Sequence, residues 1–206
     1  MNLDTWTELI NLKEELIAPG RDNRSGKAMK PTTITIHNTD NMNKGADAHA
    51  HSRFVRNTGY YMHNGKQRWV SWHYTVDDRV AIRQLPDNER AIHAGSSAGN
   101  SSSLAMEICM QQGIDQDAAN QRAAQLTAAL LVQHGLQLDA VVQHRHWSRK
   151  PCPSLLLNDA AWRGFLKLVH GYLEILRPSG YKSEDFVPLP EAFEFEGGMC
   201  WEDDEP

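Results

Sequence analysis

Apolar residues recur along this chain with helical spacing in some stretches and strand-like alternation in others, and the changes between the two predict its elements. Residues 5–18 set Trp6, Leu9, Ile10, Leu12, Leu16 and Ile17 at roughly helical spacing, predicting one short amphipathic helix. A basic loop punctuated by Pro19, Gly20, Gly26 and Pro31 follows. Thr32-Thr33-Ile34-Thr35-Ile36-His37 is a β-branched run that reads as a strand, with His37 at its C-terminal end. An alanine-rich helix is expected over residues 45–55 and a polar connection over 60–68. Residues 69–76 read as a second strand, 77–79 as a turn and 80–85 as its hairpin partner. After a polar stretch to residue 102, residues 103–110 form an apolar strand interrupted by one carboxylate, Glu107. The longest helix is predicted over 116–134, burying Ala119, Ala123, Leu126, Ala129 and Leu130 and stopping at Gly135. A short strand over 138–142 leads into His144, and a last helix over 158–175 carries Trp162, Phe165, Leu166, Val169 and Leu173. Strands alternate with helices but include a hairpin, so the fold class expected is α/β, with a central mixed β-sheet flanked by helices.

Composition changes this picture little. With 206 residues, 40% hydrophobic and 23% charged, the chain suits one soluble domain plus an appendage. No apolar run approaches the roughly 18 residues of a membrane span. The start is neither basic nor followed by an apolar stretch, so synthesis in a cytoplasm without a secretory signal is expected. Charge divides the chain more sharply. Residues 177–206 carry nine acids and two bases, which leaves residues 1–176 at +2 within a total of −5. The expected organisation is therefore a domain over 1–176 and an acidic tail or linker over 177–206. A charge of +2 is too weak to predict nucleic-acid binding. Cys109, Cys152 and Cys200 are odd in number and widely spaced, which argues against a disulfide framework.

Candidate chemistry concentrates in Gln143-His144-Arg145-His146-Trp147-Ser148-Arg149-Lys150-Pro151-Cys152-Pro153. Prolines on both sides of Cys152 stiffen the loop by fixing φ and biasing the residues before them. Imidazole nitrogen and thiolate sulfur are the ligands that zinc prefers, and three of them with an open fourth position make a catalytic site. His37, at a strand end, is the expected third ligand, with either His144 or His146 beside Cys152. His49 and His51 lie two apart on a helix and make a poor metal pair. Cys109 suits a core position, and His134 a helix C-terminus.

Five stretches, in this order, carry a family resemblance: Ile34-Thr35-Ile36-His37-Asn38-Thr39, Ser71-Trp72-His73-Tyr74, His93-Ala94-Gly95, Ala105-Met106-Glu107-Ile108-Cys109 and His144 through Pro153. Together they resemble the type 2 N-acetylmuramoyl-L-alanine amidases, peptidoglycan hydrolases related to peptidoglycan recognition proteins, and most of all Bacillus-type autolysins and prophage endolysins. The resemblance covers about residues 20–175. It implies a zinc ion (Zn2+) held by His37, His144 and Cys152, with His144 favoured over His146 by its spacing to Lys150 and Cys152. Glu107 is implied as general base and Lys150 as the group that steadies the oxyanion. Asn38, Trp72 and His93 are implied to line the substrate cleft, with His73 structural or behind the ligands. Some relatives have a tyrosine where Trp72 stands; since an indole cannot act as an acid, Glu107 should carry the proton transfer.

The activity implied is cleavage of the amide between N-acetylmuramic acid and the L-alanine of the stem peptide. The partner is bacterial peptidoglycan, and the setting a monomeric phage or prophage lysin that reaches the wall through a pore or on lysis. Loops at 38–45, 60–68 and 94–102 would form the cleft walls. A wall-binding module without activity is the competing reading, although such relatives typically lose the cysteine ligand. A zinc-stabilised scaffold would need His146 or His73 as a fourth ligand.

Overall fold

The computed structural model describes residues 3–176; the expected acidic tail over 177–206, with Cys200, lies outside the described residues. The helices are α1 (Leu3–Ile10), α2 (Ala48–Asn57), α3 (Ser97–Ser102), α4 (Gln116–His134) and α5 (Asp159–Leu176). The strands are β1 (Leu12–Glu14), β2 (Thr33–Asn38), β3 (Tyr60–His63), β4 (Lys66–Trp69), β5 (Tyr74–Val76), β6 (Ala81–Arg83), β7 (Ser103–Ile108) and β8 (Val141–Gln143). Six of these strands form one sheet in the order β1-β6-β5-β7-β2-β8. The β5–β6 pair is antiparallel and the other neighbours are parallel, so the sheet is mixed, as expected.

Side-chain alternation gives the two sheet faces different jobs. Ile34 and Ile36 of β2 and Leu104, Met106 and Ile108 of β7 point to one face. There they pack with Ala123, Leu130 and Leu131 of α4, Phe165, Leu166 and Val169 of α5, and Trp6 and Ile10 of α1. The intervening residues, Thr35 and His37 of β2 and Ala105 and Glu107 of β7, face the other way. On that side a smaller apolar cluster of Ile17, Val55, Trp72, Leu85, Ala91 and Ala105 sits under α2 and the loops.

Caps delimit the long helices. Asp115 Oδ1 accepts from the Ala118 N–H to start α4, and Gly135, at φ 65°, closes it in the left-handed conformation that glycine tolerates. The helix expected over 45–55 starts at Ala48 instead, because Asp47 accepts from the Ala50 N–H and is its N-cap.

Further expectations need correction. The helix expected over 5–18 ends at Ile10, because Asn11 takes φ 55° and turns the chain into β1, parallel to β6. Asparagine tolerates that conformation better than most residues, and its side chain donates to the Arg79 carbonyl. The polar connection over 60–68 is the β3–β4 hairpin, closed by Asn64 and Gly65, both at positive φ as a type I′ turn requires. The strand expected over 69–76 is split: Trp69 ends β4, and only Tyr74–Val76 joins the main sheet.

Candidate metal centre and active site

The site grows from the open face of the sheet. His37 and Glu107 are register partners across the parallel β2–β7 pair, so both side chains leave the same face. His144 opens a short 3-10 turn immediately after β8, the other neighbour of β2. Cys152 returns beside them because the Arg145 N–H donates to the Cys152 carbonyl and the Cys152 N–H to that of Lys150. The Trp147 indole pins this loop to β2 through the Thr35 hydroxyl, 2.8 Å away.

His37, His144 and Cys152 are all buried, and their ligand atoms lie within 4.8 Å of one another. Cys152 Sγ is 3.7 Å from His37 Nδ1. Each imidazole is held by its other nitrogen. His144 Nε2 donates to the Ala94 carbonyl over 3.1 Å, and His37 Nε2 meets His93 Nδ1 at 3.0 Å. His144 Nδ1 is thereby a buried lone pair with no partner. An orphaned imidazole nitrogen beside a thiol and a second imidazole fits zinc, which takes nitrogen and sulfur donors with one position left open.

Charge reinforces that fit. Burial holds His37 well below the ordinary histidine range, helped by His93, His144 and Lys150. Burial, then Lys150, brings His144 down to about 4, so at neutral pH the ring is the neutral form a metal needs. Burial, then the Glu107 charge, pushes the Cys152 thiol up to about 12; a cation at ligand distance is what would release its proton.

Glu107 Oε1 is 3.9 Å from His37 Nδ1, and Oε2 is buried with no partner. Burial raises its carboxyl to about 8, against the pull of Lys150 and with a push from Asp40. A carboxyl in that range can take a proton and return it near neutral pH. Lys150 is exposed, on the loop between His144 and Cys152, and its charge reaches His37, His144 and Glu107.

The other expected residues take different places. His146 is exposed, stacked edge-on against Trp147 at 4.6 Å, and is not part of the ligand group. His73 has both nitrogens engaged, accepting from the Ala105 N–H and donating to the Glu89 carbonyl. Trp72, expected as a cleft wall, is only 7% exposed; its indole N–H donates to Thr75 Oγ1 and its ring stacks on Phe54. Asn38, expected to contact substrate, is 3% exposed and ties β2 to the cysteine loop, donating to the Ile108 carbonyl and accepting from the Leu155 N–H. His93 is partly buried and bonded to His37. Sequence reasoning missed the role of Trp147; the indole between His146 and Ser148 was visible in the loop, but its partner on β2 was not.

Two histidines and a cysteine gathered beside the open face of an α/β sheet are a set that can hold a metal ion, with a carboxyl next to them. The chain belongs to the N-acetylmuramoyl-L-alanine amidase family, whose profile matches residues 27–155. It is 40% identical over 161 residues to the N-acetylmuramoyl-L-alanine amidase CwlH of Bacillus subtilis (strain 168), covering 77% of this chain and 60% of CwlH. Against the amidase XlyA of the same organism it is 39% identical over 159 residues, covering 76% of this chain and 50% of XlyA. The chain thus spans only part of the length of these relatives. The solved catalytic domain of XlyA superposes with a TM-score of 0.70 at 38% identity, covering 77% of this chain and 99% of that domain.

Proposed function

We propose that this chain is a zinc-dependent peptidoglycan hydrolase that cuts the amide between the lactyl group of N-acetylmuramic acid and the L-alanine of the stem peptide. One observation carries the reading: three metal-ligand atoms within 4.8 Å of one another beside a carboxyl with an unpartnered oxygen. His37, His144 and Cys152 would hold the ion, which when bound supplies Lewis acidity and a hydrolytic water of lowered pKa. Glu107 takes the proton of the attacking water and returns it to the leaving alanine nitrogen. Lys150, exposed on the loop between His144 and Cys152, steadies the oxyanion as the carbonyl becomes tetrahedral. His93 holds His37 and borders the cleft. Trp72 and Asn38 support the sheet and the cysteine loop from within.

The domain over residues 1–176 contains every residue of this mechanism. Bacterial peptidoglycan is the partner, and the wall is where the enzyme acts, as a monomeric lysin or autolysin. None of the described helices is long and apolar enough to cross a membrane.

The test is a digest of purified peptidoglycan by the zinc-loaded chain, with and without a chelator, scored for new alanine N-termini. Chelator-sensitive alanine ends without new reducing sugar ends are expected. Wall binding with no new amine on any wall type would make the chain a recognition module instead.

A further inference from the structure

The dipeptide His93–Ala94 touches both imidazole ligands. His93 Nδ1 meets His37 Nε2, and the Ala94 carbonyl accepts from His144 Nε2. These two bonds decide which nitrogen each ring turns towards Cys152. Yet the dipeptide belongs to no strand or helix, so no ladder sets its position.

Asn100, in α3, sets it instead. Its Oδ1 accepts from the backbone N–H of His93 and from that of Ala94, each over 2.8 Å. The residue is 8% exposed, so these bonds are shielded from competing water. The short helix that carries it is capped at its start: the Ser96 hydroxyl accepts from the Gly99 N–H, and the Asn100 N–H donates to the Ser96 carbonyl. Gly99 allows the close approach. A Cβ there would lie 2.5 Å from the Ala94 methyl and 2.7 Å from the Trp147 ring. Asn100 therefore sits where the 93–94 turn, α3 and the ligand loop converge.

We propose that Asn100 is a positioning residue for the metal: by clasping the His93–Ala94 backbone with one oxygen, it presents Nδ1 of both His37 and His144 to the same ion. This rests on the zinc reading of the site. Released from the clasp, the Ala94 carbonyl moves off His144 Nε2 and the His93 ring moves off His37 Nε2. Both ligands then lose the bonds that select their tautomers and orientations. Partners of this kind typically change metal affinity by about 10–100-fold.

The experiment measures zinc affinity of the zinc-loaded chain by competition with a chromophoric chelator, well below the melting temperature. The cobalt(II)-loaded chain gives the ligand geometry from its d–d bands. For Asn100→Ala the expected result is zinc binding weakened by about 10–100-fold and altered cobalt bands, while Asn100→Asp, which keeps an acceptor oxygen, stays within about threefold of wild type. Asn100→Ser replaces the alanine variant if that one does not fold, since its shorter side chain cannot span both N–H groups. The proposal is overturned if the folded alanine or serine variant holds zinc as tightly as wild type. It is equally overturned if Asn100→Asp is weakened as far as Asn100→Ala while both keep the native circular dichroism. A wild-type chain that takes up no zinc would overturn the metal reading itself, a result distinct from either.

Discussion

The two faces of the six-stranded sheet are built from the same strands and obey opposite rules. On the helix-covered face, Ile34, Ile36, Leu104, Met106 and Ile108 meet α1, α4 and α5 in one apolar cluster. On the other, the alternate positions of the same strands include Thr35, His37 and Glu107, packed under loops. The first face buries apolar area, which drives folding. The second buries titratable groups, which burial penalises unless they have partners. Stability and chemistry are thus separated by a single pleat.

Glu107→Gln should break this comparison most visibly if it is wrong. Removing the proposed base is expected to lower kcat by about 10²–10⁴-fold. Stability should stay unchanged or rise, because a buried carboxyl without a partner for Oε2 is lost. Alanine-release kinetics and a thermal melt on the same preparation read both effects. A fall in melting temperature matching the loss of activity would mean that Glu107 belongs to the structural face.

Leu131→Ala is the mirror experiment. Leu131 is fully buried in the helix-covered cluster, and its truncation should destabilise the chain by about 2–5 kcal/mol. Activity per folded molecule should not change at temperatures where the variant stays folded. Chemical denaturation paired with kinetics would expose any coupling between the faces.

Acid sharpens the contrast at a smaller scale. Burial brings His73 down to about 4 from the ordinary 6.5, and its Nδ1 is committed to accepting the Ala105 N–H. Between those values the unfolded chain binds a proton that the folded chain refuses, so this contribution to stability is complete above about 6.5 and fades as pH falls towards about 4. His73→Gln keeps an acceptor and a donor but does not titrate. Its stability should therefore fall less than that of wild type between pH 7.5 and pH 5, by about 1–2 kcal/mol. Equal pH slopes in urea melts would contradict the assignment.

The smallest effect expected is that of Asp115→Ala at the start of α4. Losing the cap on the Ala118 N–H should cost about 1 kcal/mol and leave zinc affinity and turnover unchanged. A differential melt alongside chelator competition would separate the two.

Much of this arrangement was legible before any coordinates. The helix over 116–134 was readable to the residue because its apolar periodicity and a terminal glycine agree. His37 and the His144–Cys152 loop stood out because strand-end and proline-flanked ligand residues are rare and chemically specific. Other signals were misread where two local readings compete. Leu12, Leu16 and Ile17 fit a helical stripe as well as an edge strand, and only Asn11 in its left-handed conformation separates them. Asn64-Gly65 was a hairpin signal passed over because its neighbours Tyr61 and Met62 are exposed and show no buried alternation. Trp72 was assigned to a cleft because aromatic residues suit one; its burial depends on Phe54, Val55 and Leu85, all far from it along the chain or on another element.

By itself, then, the sequence determined the chemistry available: two imidazoles and a thiol for a metal, one carboxyl in an apolar strand, and the helices that cover one side of a mixed sheet. Local propensity, side-chain period and ligand softness are properties of residues and their near neighbours, so they survive without coordinates. Only the tertiary structure decided which nitrogen of each histidine faces the cysteine, that His146 and His73 stay out of the site, and that Asn100 grips the turn behind both ligands. The first of these outcomes depends on the bonds of His37 with His93 and of His144 with Ala94, which join residues 50 or more positions apart whose pairing no local pattern can name.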